Sequence, residues 1–327
     1  MIYSRREFGK LALASLPAAV MEKTIWGQAK PSSTINGVQI GTITYSYRSM
    51  PDQSAEALLK YVVTDGISAV ELMGQPAEQF AGAPSGVGRG GGGRGREQQL
   101  TPEQQAAEQA AQRETRETIK KWRLGVSMDR YKELRKLYND AGVKIYGLKI
   151  SPGADMTDQE MDYVFNAGEA VGATHVTLEL STDVAFLKRV GAFAEKHKVY
   201  AAYHSHGQGS MTAFDQAFAA SKANMANVDF GHYVAAGNVG GSPLQFLEKF
   251  HDRIASFHLK DRTTPEHGAQ NLPWGTGETP IKEILQTVKK NKWKMPASIE
   301  LEYQVPADSD AVKEVAKCLQ YCEDALA

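Results

Sequence analysis

The segment Val199-Tyr-Ala-Ala-Tyr-His-Ser-His206 decides the fold, because it is a short apolar run that ends in two imidazoles. Runs of β-branched and aromatic residues with this length are typical of buried strands. The arrangement recurs through the second half of the chain, where acidic or imidazole side chains fall late in each run. These side chains are Glu179, His204, His206, Asp229, His232, His258 and Glu300.

Most of these runs are separated by an amphipathic segment of helix length. Alternating strands and helices predict a parallel sheet, and eight such units predict an α/β fold of the (β/α)8 TIM-barrel type. The predicted strands span residues 38–45, 69–73, 144–151, 175–180, 199–206, 228–234, 254–260 and 297–303. The predicted helices span residues 53–64, 130–141, 158–171, 184–197, 214–223, 243–251, 281–290 and 311–325, with Ser127, Thr157 and Thr182 as candidate N-caps.

The C-terminal strand ends of such a barrel form its active face. Carboxylates and imidazoles that converge there are ligands expected for Mn²⁺, Zn²⁺, Co²⁺ or Mg²⁺. The sequence therefore predicts one divalent metal ion, and it leaves the identity of that ion open.

The N-terminus predicts export. Ser4-Arg-Arg-Glu-Phe-Gly-Lys10 is a twin-arginine signature, and the apolar run 11–20 that follows is too short to span a bilayer. Gly27-Gln-Ala29 fits a small-x-small cleavage site. We therefore expect residues 1–29 to be a signal peptide and residues 30–327 to be a single barrel domain. The expected location is the bacterial periplasm, reached through the twin-arginine machinery without a stable membrane anchor. An ordinary basic N-terminus is the alternative.

Composition limits the other classes of function. The 327 residues carry a formal net charge of −1, which gives no electrostatic basis for binding nucleic acid. The two cysteines, Cys318 and Cys322, are four residues apart in a predicted helix and do not indicate a disulfide scaffold.

The segment 82–121 interrupts the alternation of strands and helices. Its first part is a Gly/Arg/Ser low-complexity stretch that cannot bury apolar surface, and its second part predicts a polar, exposed helix. Because it follows the second strand, we expect this insertion on the active face, either as a lid or as a solvated excursion without a catalytic role.

Five strand-end motifs carry a family resemblance: Tyr203-His-Ser-His206, Val228-Asp-Phe-Gly-His232, Phe257-His-Leu-Lys-Asp-Arg262, Gly275-Thr-Gly277 and Ser298-Ile-Glu300. In this order and spacing they resemble the xylose-isomerase-like TIM-barrel family, which includes sugar-phosphate isomerases and epimerases, ketose 3-epimerases and inosose dehydratases. The resemblance runs from about Val38 to the C-terminus, apart from the insertion.

The resemblance implies a ligand set. Asp229, His258 and Glu300 match three of the four metal ligands of ketose 3-epimerases, whereas His204 stands where those enzymes have a catalytic glutamate. Glu179, one strand earlier, is the natural replacement. The predicted metal ligands are therefore Glu179, His204, Asp229, His258 and Glu300.

A metal bound to a carbonyl and its neighbouring hydroxyl acidifies the intervening C–H bond by stabilising an enediolate. Glu179 and Glu300 are the candidate bases, and His206 is the candidate general acid or hydroxyl partner. Lys260 has the inward parity of His258 and is a candidate to stabilise an oxyanion. The predicted substrate contacts are Glu71, His232, Arg262, Trp274 and Tyr45.

Several functions remain open at this stage. The loop 237–241 lacks the pattern of a phosphate cradle, which favours an unphosphorylated sugar. The leading hypothesis is a metal-dependent sugar isomerase or epimerase, and the alternative is a keto-sugar lyase or hydratase on the same scaffold. A non-catalytic periplasmic sugar binder is a further hypothesis, whereas the net charge argues against a multi-zinc endonuclease. The sequence is compatible with an oligomer and does not indicate its size.

Overall fold

The computed structural model describes residues 30–84 and 101–327. The predicted signal peptide, and most of the Gly/Arg-rich first part of the insertion, lie outside the described residues. Within the described part of the chain, no helix is both long and apolar enough to cross a membrane.

Eight parallel strands close into a barrel, as the sequence predicts. Each strand pairs with its neighbour in the chain, and the first strand also pairs with the last, which closes the ring. The strands are β1 (Val38–Ile43), β2 (Ala69–Met73), β3 (Lys144–Lys149), β4 (His175–Glu179), β5 (Tyr200–His204), β6 (Asn224–Asp229), β7 (Ile254–Leu259) and β8 (Ala297–Ile299).

Helices surround the barrel, and apart from the exposed helix α3 they bury apolar residues against it. They are α1 (Ala55–Thr64), α2 (Gly74–Phe80), α3 (Pro102–Gly125), α4 (Asp129–Asp140), α5 (Asp158–Val171), α6 (Val184–His197), α7 (Asp215–Ala220), α8 (Phe230–Ala235), α9 (Pro243–Phe250), α10 (Ile281–Asn291) and α11 (Ala311–Leu326). A two-residue strand, Thr34–Ile35, and the short hairpin of Asp261–Arg262 with Asn271–Leu272 complete the described strands, and three 3-10 helices span Thr44–Tyr47, His251–Arg253 and Pro265–His267.

Capping residues fix two helices at their predicted bounds. Thr157 and Glu160 form a capping box at the start of α5, and Gly172 ends it in the left-handed conformation with φ of 77°. At the start of α6 the cap is Asp183 rather than the predicted Thr182, because the Asp183 carboxylate accepts from the Phe186 amide. Ser127 lies one residue before Met128, which directly precedes α4, and the Ser127 hydroxyl accepts from the Asp129 backbone amide at 3.2 Å, so it satisfies an amide at the start of this helix.

The sixth predicted strand is wrong in position. It was expected at 228–234, but β6 ends at Asp229 and the next residues form the short helix α8. Alternating apolar residues in Phe230-Gly-His-Tyr-Val234 resemble a strand. The Asp229 side chain decides otherwise, because it accepts from the backbone amide of His232 at 2.7 Å and starts a helical turn.

The insertion contributes one long exposed helix, α3, after the short helix α2 that the sequence did not predict. Among the described side chains of α3, Arg116 forms an exposed ion pair with Asp155, and the C-terminal end of the helix packs more closely on its neighbours. Arg123 lies there beside Glu78 of α2, with the guanidinium Nε 2.8 Å from a carboxylate oxygen, and Trp122 packs edge-on against Tyr163 of α5. The chain therefore leaves the barrel after β2, and the ion pair between Arg123 and Glu78 fixes the end of α3 where the chain returns to the barrel.

Candidate metal centre

Four side chains from neighbouring strand ends meet at the C-terminal mouth of the barrel. Each offers a ligand atom, and these atoms all lie within 4.8 Å of one another. The four residues are His204 at the end of β5, Asp229 at the end of β6, His258 in β7 and Glu300 directly after β8. All four are buried, so their lone pairs are shielded from bulk water.

His204 is held with one nitrogen ready to bind a cation. Its Nδ1 lies 3.1 Å from Oδ1 of Asn227, and the Asn227 amide nitrogen donates to Glu71 and Ser256. Those two bonds identify Oδ1 as the acceptor, so Nδ1 of His204 carries the proton and Nε2 has the free lone pair. Burial, with help from the nearby Lys149 cation, holds the pKa of His204 well below its usual range, which keeps the ring neutral.

Asp229 has one satisfied and one unsatisfied oxygen. Oδ1 accepts from the His232 amide, whereas the buried Oδ2 accepts no hydrogen bond. The Lys260 Nζ is 3.0 Å from Oδ2, close enough for charge attraction although its geometry is not that of a hydrogen bond. Burial raises the pKa of Asp229 because a carboxylate loses its hydration there.

His258 lies between two carboxylates. Its Nδ1 is 2.8 Å from Glu300 and its Nε2 is 2.9 Å from Glu71. Burial disfavours the imidazolium, but the two carboxylates outweigh burial and raise the pKa of His258 to about 10. The His258 cation in turn outweighs the effect of burial on Glu71 and lowers its pKa to about 2. Glu71 is completely buried and its carboxylate contacts Nε2 of His258, from where it can orient that ring. The contact of Glu71 with substrate stays a prediction.

Lys260 inserts a buried ammonium among the carboxylates. Its Nζ is 3.0 Å from Oε2 of Glu300 and 2.6 Å from Oε2 of Glu302. Burial opposes the charge, but Asp229 and the two glutamates raise the pKa of Lys260. Together with His258, Lys260 outweighs burial at Glu300 and holds the pKa of that carboxyl well below its usual range.

Glu179 lies outside the group of four. It is half-exposed at the mouth, where its carboxylate is 2.9 Å from Nζ of Lys149 and 3.0 Å from Nδ1 of His206. Burial is outweighed by the His206 hydrogen bond and the Lys149 charge, which lower the pKa of Glu179. The exposed His206 ring also contacts the His204 ring at 4.7 Å between centroids, so this pair borders the buried group.

His232 separates two cations above the site. Its Nδ1 is 2.6 Å from the Arg262 guanidinium and its Nε2 is 3.1 Å from the Lys260 ammonium. Burial and then the Lys260 charge lower the pKa of His232 to about 3, so the ring is neutral. With His204 and His206 it also forms a second group of three possible metal ligands.

The two predicted aromatic substrate contacts have other neighbours. Trp274 packs edge-on against Tyr321 of α11, with ring centroids 5.8 Å apart. Tyr45 lies in the 3-10 turn after β1, and the Arg48 guanidinium is 4.5 Å above its ring.

Three residues that shape the site were not among the predicted site residues: Asn227, Asp261, and Gly231, which leaves room for the Lys260 side chain. Asn227 shares the inward parity of Asp229, and that is the signal by which it could have been found. Asp261 accepts from the backbone amides of Gly275, Thr276, Gly277 and Thr279, which fixes the Gly275-Thr-Gly277 motif. Gly277 must lack a side chain, because a Cβ there would lie 2.3 Å from the Asp261 carboxylate.

The residues fit a divalent metal. Two carboxylates and two imidazoles form a donor set suited to Mn²⁺, Zn²⁺ or Co²⁺, and mixed oxygen and nitrogen donors also tolerate Mg²⁺. Nε2 of His204 has a free lone pair. Oδ2 of Asp229 accepts no hydrogen bond, although the Lys260 ammonium lies 3.0 Å from it, so a bound cation would share this carboxylate with Lys260. A carboxylate and an amide, Glu71 and Asn227, support the imidazoles from behind, as is common at metal sites.

Solved structures with the same fold include a probable dehydratase and two epimerases. The probable 3-DHS dehydratase of petrobactin synthesis from Bacillus anthracis is 14% identical over 86% of this chain and 99% of its own, with a TM-score of 0.59. The 3-keto-D-glucoside 4-epimerase from E. coli is 10% identical over 88% and 99%, with a TM-score of 0.56. The D-psicose 3-epimerase from Clostridium cellulolyticum H10 is 10% identical over 88% and 99%, with a TM-score of 0.58.

At these identities the solved structures show the fold alone, and no curated protein matches the chain significantly. A family model gives the stronger assignment, because it matches residues 108–322, which is more than half of the chain. The five motifs at the strand ends lie within that match. The chain therefore belongs to the xylose isomerase-like TIM barrel family.

Proposed function

We propose that this protein is a divalent-metal-dependent isomerase or epimerase that acts on an unphosphorylated sugar or sugar derivative through an enediolate. The observation that carries the proposal is the buried group of His204, Asp229, His258 and Glu300, with ligand atoms within 4.8 Å of one another. A bound divalent cation would supply Lewis-acid stabilisation of charge that develops on neighbouring sugar oxygens.

The protein's own residues supply the proton transfers. Glu179 is anionic and accessible at the mouth, and its carboxylate accepts a hydrogen bond from His206, so the pair can remove and return a proton next to the buried group. Lys260 holds a positive charge among Asp229, Glu300 and Glu302, where it can stabilise a developing oxyanion. Glu300 is the second candidate base.

The charges at the mouth favour a neutral substrate. Lys149 is paired with Glu179, and Lys260 is paired with three carboxylates. Arg262 donates to His232 and to the carbonyl of Ala269. Since each of these cations already has protein partners, none offers the uncommitted charge that a phosphate group requires.

Metal content is the first test. The protein without residues 1–29 is purified, loaded with Mn²⁺, Zn²⁺ or Co²⁺ in turn, and measured by inductively coupled plasma mass spectrometry. About one equivalent is expected in the wild type and none in Asp229→Ala or His258→Ala. Asp252→Ala and His267→Ala, two exposed positions away from the centre, are matched controls and are expected to bind metal normally. A wild type that retains no metal would sink the proposal.

A second candidate is a keto-sugar lyase or hydratase on the same site. The Glu179–His206 pair favours it, because an accessible imidazole beside a carboxylate can protonate a leaving group. Proton exchange distinguishes the two reactions. An isomerase or epimerase incorporates deuterium from D₂O into a recovered sugar of unchanged composition, whereas a lyase releases a smaller product or loses water.

Export to the periplasm through the twin-arginine machinery is also part of the proposal, and it rests on the Ser4–Lys10 motif and the short apolar run after it. A fusion of residues 1–29 to a folded reporter tests it. We expect periplasmic reporter in a competent strain and retention in a strain that lacks the twin-arginine translocase. Replacement of Arg5 and Arg6 by lysine is expected to block export.

A further inference from the structure

A cavity of about 390 Å³ lies beside the candidate metal centre at the mouth of the barrel. It opens between the loops that follow β4 and β5 and the segment that follows α8. Leu180 and Gly207, two of its lining residues, come directly after Glu179 and His206 in the chain. The cavity therefore begins one residue beyond the Glu179–His206 pair, and the His206 ring in turn contacts the His204 ring at 4.7 Å between centroids.

The chemistry of the lining is polar and uncharged. Hydroxyl and amide side chains account for half of the twelve lining residues, and the others are glycine or aliphatic. The polar six are Ser181, Thr182, Gln208, Ser210, Thr212 and Gln216. Such groups donate to and accept from sugar hydroxyls, whereas a phosphate or carboxylate ligand would need a cation.

The cavity is preformed by backbone contacts. Ser210 pairs with Val239 in an isolated parallel bridge, and the Met211 amide donates to the Val239 carbonyl at 3.0 Å. The Gln208 side chain accepts from the His206 amide at 2.8 Å, which ties the cavity wall to the catalytic pair. The Val239 side chain is 57% exposed at the edge, so it offers an apolar surface to the carbon face of a ring.

We propose that the substrate is a neutral disaccharide, with its reacting ring at the metal centre and its second sugar ring in this cavity. This inference rests on the proposed function and narrows its substrate class. The cavity volume falls within the range of about 300–1,000 Å³ that is usual for small-molecule sites. Its hydroxyl and amide groups favour a second sugar over an aromatic aglycone, because none of the twelve lining residues is aromatic.

Calorimetric titration of the metal-loaded protein tests the proposal. The ligands are cellobiose, maltose, trehalose and their 3-keto derivatives, with glucose and 3-ketoglucose as the monosaccharide counterparts. At least one disaccharide is expected to bind at least ten times more tightly than its counterpart. Thr212→Trp, at an exposed position, fills the cavity and should remove that advantage while leaving monosaccharide affinity unchanged.

Two further variants make the test specific. Thr115→Trp places the same side chain on the exposed face of α3 and should leave both affinities at the wild-type value. Gln216→Leu removes one polar group at little change in volume and should weaken only the disaccharide. Circular dichroism checks that each variant is folded.

The outcomes separate the two proposals. The disaccharide assignment would be overturned by any of three results. These are equal affinity for monosaccharides and every disaccharide, no binding of any disaccharide, or an equal loss of affinity for both classes of sugar in Thr212→Trp. If the enzyme nevertheless catalyses deuterium exchange into a monosaccharide, the proposed isomerase activity stands although the disaccharide assignment fails. If a disaccharide binds in the expected way but never reacts, the cavity assignment stands and the proposed reaction fails.

Discussion

Gly231 makes room for the buried stem of Lys260. A Cβ on Gly231 would lie 2.2 Å from the Lys260 Cγ and 2.7 Å from the Lys260 carbonyl oxygen. Because the second contact is with backbone, the clash cannot be relieved by a rotamer change alone. The glycine between Asp229 and His232 is thus required by the lysine that neutralises the site.

Gly231→Ala is therefore expected to destabilise the protein by about 1–3 kcal/mol, the usual cost of overpacking. It should also weaken metal binding, since Lys260 and α8 must both shift. Urea unfolding and metal titration measure the two effects. Gly125→Ala, at a glycine with no heavy atom within 4 Å of the added Cβ, is the control and should change neither by a comparable amount. Equal behaviour of the two variants would contradict this account of Gly231.

Glu71→Gln is expected to weaken metal affinity about 10- to 100-fold, the usual effect of losing a carboxylate behind a ligating histidine. The neutral amide no longer favours the His258 orientation that the 2.9 Å contact provides. Calorimetric titration with Mn²⁺ gives the dissociation constants. Glu133→Gln, on the exposed face of α4, should leave them unchanged. Unaltered affinity in Glu71→Gln would show that Glu71 does not support the site.

Asp65 is expected to make stability depend on pH. Burial raises its pKa to about 8, and the Tyr47 hydroxyl donates to it at 2.6 Å. Between pH 4 and pH 8 the folded protein then holds a proton that the unfolded chain releases. Stability from this group is present below the unfolded pKa of about 3.9 and is lost as pH rises through the folded pKa.

Asp65→Asn should abolish this dependence, because an amide keeps the Tyr47 hydrogen bond without the charge. The free energy of unfolding in urea, measured from pH 4.5 to 8.5, is expected to rise relative to wild type by a few kcal/mol toward the alkaline end. Other titrating groups cancel in the difference between the two proteins. Parallel curves would mean that Asp65 ionises normally.

Arg123→Met should cost about 3 kcal/mol, because it leaves the buried Glu78 carboxylate without its cation. The Tyr163 hydroxyl, which donates to the same oxygen at 2.9 Å, cannot replace the charge. Thermal and urea unfolding measure the loss, and Arg113→Met on the exposed part of α3 is the matched control. Adding Glu78→Gln to Arg123→Met should recover part of the stability. A double variant less stable than the single one would argue against an uncompensated charge.

Sequence patterns predicted the barrel because its strands and helices alternate with clear periodicity. They also placed the bounds of α5 and α6 correctly, since local side-chain caps at Thr157 and Asp183 agree with the apolar pattern. The pattern failed at β6, where the fold is decided by a single contact between the Asp229 carboxylate and the His232 amide.

The candidate site was predictable in composition and less so in geometry. His204, Asp229, His258 and Glu300 come together as expected. The depth of Glu71 and the pairing of Glu179 with Lys149 depend on contacts between strands that are distant in sequence. The alternation of residues along a strand predicts which side chains point into the barrel. It does not predict how deep along the barrel axis each of these side chains lies.

The carboxylate of Asp261 accepts hydrogen bonds from four backbone amides of the loop 275–279, which holds this loop in one conformation. The conformational entropy of this loop is lost during folding, before any ligand binds. Association on this side then requires little loop ordering, so more of the contact energy is available as affinity. The protein meets its ligand with one wall already rigid.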